Sequence, residues 1–200
     1  MIQRLIELDI AGLHALQAWI DPTSLVQVSG IQFFSDFHVF FMAGLLFLLW
    51  LYGVYTGEKK YKESALYAAV TIMFSLLAYF AINQTFPVRP RPEVVSAINP
   101  LIAHLPDNSF PSGHAIFAAA AFLAAVQFFE SRILVSAVFA VGLLMVFCRI
   151  VAGIHYPGDM IVGALVGAAF AYLFYRVHRH RYVRSVCIDL PLRLAQYLRL

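Results

Sequence analysis

Arg149, His155 and Asp159 fall in the stretch Cys148-Arg149-Ile150-Val151-Ala152-Gly153-Ile154-His155-Tyr156-Pro157-Gly158-Asp159, where one apolar run ends and the next begins. The residue before a proline is biased away from helix, so Tyr156 is predicted to be extended. Pro157 suits the first position of a new helix. Asp159 then falls in that helix's first turn, within reach back to His155. An imidazole held by a carboxylate is fixed in one tautomer, and its other nitrogen can act as a nucleophile. Arg149 is permanently charged, and its planar fork suits a phosphate.

Two earlier stretches carry matching chemistry. In Phe86-Pro87-Val88-Arg89-Pro90-Arg91-Pro92, two arginines are held on a stiff, extended backbone. In Asn108-Ser109-Phe110-Pro111-Ser112-Gly113-His114, Ser112 is a natural N-cap. The amides of Gly113 and His114 would then point at an anion, and Gly113 lets the backbone come close to it. Three arginines, a helix N-terminus and two histidines read as a phosphate site with a nucleophile and an acid. His155 would attack phosphorus in line. His114 would protonate the leaving oxygen, then activate the water that cleaves the phosphohistidine. Asp159 would orient His155 and balance its positive charge, while the arginines neutralise the equatorial oxygens. This scheme requires no metal or other cofactor, and carboxylates to hold a metal are lacking near the site.

The elements that must position these residues lie in a membrane. Hydrophobic residues make up 62% of the 200-residue chain and charged residues 12%, against about 45–50% and 25% in ordinary soluble domains. Residues 2–20 read as an amphipathic helix lying in the interface, with Leu5, Leu13 and Leu16 on its apolar side and Asp9 spoiling that side. Residues 21–35 read as a connector. Five spans are predicted near 36–56, 63–84, 112–130, 132–151 and 157–177. Gly163-x-x-x-Gly167 in the last would let helices approach closely. The expected fold is all-α: one domain over 1–200, with an interfacial segment (1–35), a transmembrane core (36–177) and a basic tail (178–200).

Charge sets the orientation. Lys59, Lys60 and Lys62 are the only lysines, and the chain after residue 177 is rich in arginine; both should be cytoplasmic. This pattern is an orientation signal rather than a nucleic-acid footprint. The loop 85–111 and the turn 150–156 are then outside. Arg89, Arg91, Ser112, His114, Arg149, His155 and Asp159 all fall at that one end, joined by Asp36 and His38 at the start of the first span. Cys148 and Cys187 fall on opposite sides, which argues against a disulfide. A single interfacial arginine is commonly a snorkelling anchor; the convergence of all these groups on one face is what indicates a site.

The pattern Arg-Pro, then Pro-Ser-Gly-His, then Arg-x5-His-x3-Asp resembles the type 2 phosphatidic acid phosphatase (PAP2) superfamily. The resemblance implies a membrane helical bundle of about five to six transmembrane or interfacial helices. It implies His155 as nucleophile, Asp159 as its partner, His114 as acid and base, and Arg91, Ser112, Gly113 and Arg149 as phosphate ligands. It also implies metal-independent hydrolysis of lipid phosphates at the outer face. The family's first motif opens with a lysine where this chain has Gln84, and Arg89 stands as the replacement charge. The short chain, interfacial N-terminal segment and basic tail look like the bacterial undecaprenyl-diphosphate phosphatase branch, an inner-membrane enzyme. Phosphatidylglycerophosphate or lipid A phosphatases are the alternatives, and a non-catalytic lipid-phosphate binder or transporter a further one.

Overall fold

The computed structural model describes residues 2–85, 89–96, 98–103 and 108–197. Phe86-Pro87-Val88 of the outer loop, and Leu198 and Arg199 of the tail, lie outside the described residues. The described chain is helical, with no strand. In order come α1 (Ile2–Gln17), α2 (Leu25–Thr56), α3 (Lys59–Thr85), the short α4 (Pro92–Ser96), α5 (Gly113–Phe128), α6 (Arg132–Val151) and α7 (Pro157–Val177). The tail adds α8 (Arg181–Arg184), a π-helical turn (Ser185–Asp189) and α9 (Leu190–Tyr197). Helices α2, α3, α6 and α7 are long and apolar enough to cross a membrane.

Helix α2 starts well before the predicted residue 36. Ser24 caps it through a hydrogen bond from the Gln27 amide, and Gly57, at φ 74°, ends it. The connector expected over 21–35 is therefore mostly helix. Gly30 does not interrupt it, since a single glycine inside a long helix costs only about 1 kcal/mol. Its 32 residues measure about 48 Å at 1.5 Å per residue, well over the roughly 30 Å hydrocarbon layer. The lysines expected in a loop instead occupy the first turn of α3, and only Gly57 and Glu58 connect the two helices.

Helix α5 goes the other way. Its 16 residues span about 24 Å, less than the hydrocarbon thickness. Beyond its C-terminal end Glu130 meets Lys60 at 3.1 Å. Small residues let it sit at the centre: Ala115, Ala120, Ala121, Ala124 and Ala125 are fully buried. A Cβ at Gly163 of α7 would come within 2.7 Å of the Ser112 carbonyl oxygen, and one at Gly167 would collide with that of Ile116. The paired glycines are therefore a backbone-to-backbone contact between α5 and α7.

Helix α1 packs on the α6–α7 turn. Leu13 is fully buried beside Ile150, Tyr156 and Met160, whereas Leu5, Ile6 and Leu8 stay exposed. At the other end the tail folds back: Ile188 and Leu192 are buried with Tyr67 and Phe174.

Candidate active site

The α6–α7 turn holds His155, the nucleophile expected from the sequence. Tyr156 is extended (φ −79°, ψ 152°) and Pro157 opens α7, as the sequence predicts. Asp159, in the first turn, accepts the Tyr156 amide at 3.0 Å and is completely buried. His155 is also buried. Its Nδ1 lies 3.0 Å from the Ser109 carbonyl oxygen. A carbonyl only accepts, so Nδ1 carries the proton and Nε2 presents its lone pair. That Nε2 lies 3.3 Å from Arg91 Nη1 and 3.4 Å from Ser112 Oγ. Burial, reinforced by the Arg91 and Arg149 charges and opposed by Asp159, pushes the imidazole down to about 4. The ring is therefore neutral and nucleophilic at neutral pH.

Asp159 stands 3.7 Å from Nδ1, beyond a direct hydrogen bond. Ser109 fills the gap: its hydroxyl donates to Asp159 at 2.5 Å and sits 3.4 Å from Nδ1. The tautomer is thus fixed by the Ser109 backbone, with the carboxylate one group behind it. Ser109 was not a sequence candidate; its place three residues before Ser112 was the available signal.

A cavity of about 440 Å³ opens in front of this nitrogen, lined by Arg91, Asn108, Gly113, His114, Arg149 and His155 among others. Arg91 donates to the Ile154 carbonyl at 2.6 Å, which aims it across the α6–α7 turn. Arg149 donates to Asp36 at 2.8 Å, and His114 Nε2 lies 3.2 Å from the same oxygen. Asp36 thus tethers the second histidine and an arginine from α2. Ser112 occupies the N-cap position of α5, yet its side chain does not cap. The hydroxyl turns toward His155 instead, and the first turn of α5 lacks a side-chain cap. Asn108 accepts the Arg89 and Phe110 amides through Oδ1, while its buried Nδ2 has no partner among the described residues.

Two candidates lie elsewhere. Arg89 does not line the cavity. Its guanidinium bridges Asp9 at 2.6 Å and Asp159 at 2.5 Å and lies 4.0 Å over the Tyr156 ring. Two carboxylates already neutralise it, so Arg89 is a support for Asp159, where the sequence suggested a phosphate ligand. Gln84 is exposed near the end of α3 and also lies outside the cavity wall. His38 is fully buried against Phe117, and neither ring nitrogen has a hydrogen-bond partner among the described residues. Asp9 is the residue that the sequence most misread: the acid on the apolar side of α1 is there to reach Arg89.

Residues 64–182 match the family model described as the PAP2 superfamily. The chain is 31% identical to undecaprenyl-diphosphatase BcrC of Bacillus subtilis over 144 residues, covering 72% of this chain and 71% of that one. It is 42% identical to phosphatidylglycerophosphatase B of Haemophilus influenzae over 66 residues, 29% of this chain and 27% of that one. The crystal structure of Aquifex aeolicus LpxE superposes with a TM-score of 0.69 at 22% identity, covering 84% of this chain and 95% of that chain; this likeness is one of fold.

Proposed function

From the premise that this chain belongs to the PAP2 superfamily, we propose that it hydrolyses undecaprenyl diphosphate through a phosphohistidine on His155. The observation that carries the proposal is the direction of Nε2: it faces a cavity shared with His114, Arg91 and Arg149. Phosphorus entering there meets the lone pair while the guanidiniums take the equatorial oxygens. Bond formation to Nε2 breaks the bond to the leaving oxygen, which His114 protonates. His114 then takes a proton from the water that releases phosphate and restores neutral His155. Arg91 and Arg149 supply the positive charge, so turnover is expected to persist in EDTA.

The lipid nature of the substrate is supported by the cavity's apolar walls, Val39, Leu76, Phe80 and Phe117. Val39, Leu76 and Phe117 also line an apolar groove of about 250 Å³ with Met42, Ala43 and Leu46. A hydrocarbon tail can thus stay between α2 and α3 while its head enters. The choice of undecaprenyl diphosphate rests on the long similarity to BcrC. A phosphatidylglycerophosphate phosphatase is the second reading, favoured by the shorter match to phosphatidylglycerophosphatase B. In either case the lysines and the arginine-rich tail orient the site to the extracytoplasmic face of a bacterial inner membrane.

The test is phosphate release from undecaprenyl diphosphate, phosphatidylglycerophosphate and lipid A side by side in detergent with EDTA. Fastest turnover of undecaprenyl diphosphate is expected. Turnover of the others with none of it rejects that substrate, and loss of all turnover in EDTA rejects the metal-independent scheme.

A further inference from the structure

The scheme above gives Asp9 nothing to do, yet its carboxylate is built into the site. Its side chain is only 12% exposed. One oxygen accepts the Gly158 amide at 2.6 Å, at the start of α7; the other meets Arg89 at 2.6 Å. Arg89 continues to Asp159 at 2.5 Å. The first turn of α7 is shaped for this contact, since a Cβ at Gly158 would come within 2.8 Å of the Asp9 carboxylate. Leu13, one turn along α1, is locked against Tyr156 and Met160 and fixes the approach.

The charges explain why such a chain is useful. When Nε2 bonds to phosphorus and Nδ1 keeps its proton, the His155 ring becomes cationic. Among the described residues, the groups facing it from the other elements are Arg91, Arg149 and, across the cavity, His114; the acid that lines the same cavity, Asp36, is engaged by Arg149 at 2.8 Å and by His114 at 3.2 Å. Among the described residues Asp159 is the carboxylate beside the ring, 3.7 Å from Nδ1, and Arg89 at 2.5 Å cancels its charge. Asp9, Arg89 and Asp159 together carry one net negative charge; without Asp9 they carry none. We infer that Asp9 is a positioning residue for the nucleophile: by sharing Arg89 with Asp159, it leaves beside His155 the negative charge that the phosphorylated ring requires. This inference rests on the phosphatase reading above.

The test compares wild type with Asp9→Asn, which keeps the volume and the acceptor for the Gly158 amide but removes the charge. In the full-length protein, kcat falls about tenfold and the His155 titration, followed by NMR, moves about one pH unit lower, with KM within about twofold. The double variant Asp9→Asn/Arg89→Gln returns the net charge to minus one. Its His155 titration moves back toward wild type, whereas a merely structural Asp9 predicts no return. An unchanged kcat and titration in Asp9→Asn, or a double variant displaced further, overturns the inference. If Asp9→Asn fails to fold, the double variant alone decides by the same titration. That titration needs no substrate, so a wild-type protein without lipid-phosphate turnover defeats the phosphatase reading and not this coupling.

Discussion

The two ends of the bundle use the same residue types and treat them differently. At the end facing away from the cavity, Lys59, Lys60 and Arg184 pair with Glu58, Glu63, Glu130 and Asp189 in exposed or half-buried contacts. At the cavity end, Asp159, Arg91, Arg149 and His155 are all buried. Each end also has a buried histidine. His178 is 6% exposed, and Tyr67, Phe128 and Tyr175 enclose it, with Nδ1 at the Tyr175 carbonyl. His155 is 3% exposed, but one nitrogen opens on a cavity walled by guanidiniums. Burial of a histidine is therefore not a mark of chemistry. An open lone pair beside uncommitted space and converging positive charge is.

The largest expected contrast breaks the two histidines apart. His155→Ala loses about 10⁴-fold or more in phosphate release, because the proposed phosphohistidine forms on its Nε2. His178→Ala keeps kcat within about twofold and instead lowers the melting temperature, since it empties an aromatic cage. Equal activity losses in the two variants would erase the distinction.

The arginines give the next contrast. Arg91→Ala is expected to lower kcat/KM by about 10²–10³-fold, the usual loss when a donor to a developing oxyanion is removed. Arg184→Ala, whose partners Glu63 and Asp189 sit at the far end, changes it less than about twofold. Parallel steady-state kinetics on the two proteins measures the difference.

A smaller effect sharpens the account of His155. Its imidazole is depressed to about 4 by burial and by the Arg91 and Arg149 charges, and in the proposed scheme only the neutral ring attacks. The limb of kcat/KM belonging to His155 therefore falls as pH drops through about 4. A bound phosphate dianion offsets Arg91 and Arg149 and raises the ring's affinity for a proton, so the matching limb of kcat lies at higher pH. Coincident limbs in the two profiles would contradict this.

Much of the site could be read from the chain because its groups stand at element boundaries. Pro157 marks the start of α7, and the His155–Asp159 spacing follows from it. The glycines at 163 and 167, one turn apart, marked α7 as a helix that another could approach closely, and the structure identifies that helix as α5. What the sequence hid depends on long-range pairing. Asp9 lies 80 positions from Arg89, and local periodicity reads an acid on an apolar stripe as a flaw. Ser109 acts through its backbone carbonyl, which no side-chain pattern reveals. The early start of α2 was missed because Asp21-Pro22 and Gly30 are turn signals, while the helix begins between them at Ser24. Arg89 and Arg91 look equivalent beside their prolines; only the placement of Asp9 and Asp159 separates a support from a residue that lines the cavity.

The central claim is that His155 Nε2 bonds to phosphorus. It is tested most directly by rapid mixing with a saturating lipid phosphate, an alkaline quench that preserves phosphohistidine, and peptide mapping by mass spectrometry. One phosphoryl group on the peptide carrying His155, accumulating further in His114→Ala, is the predicted result. Steady turnover with the phosphoryl group on His114, or on no residue at any time, would contradict it.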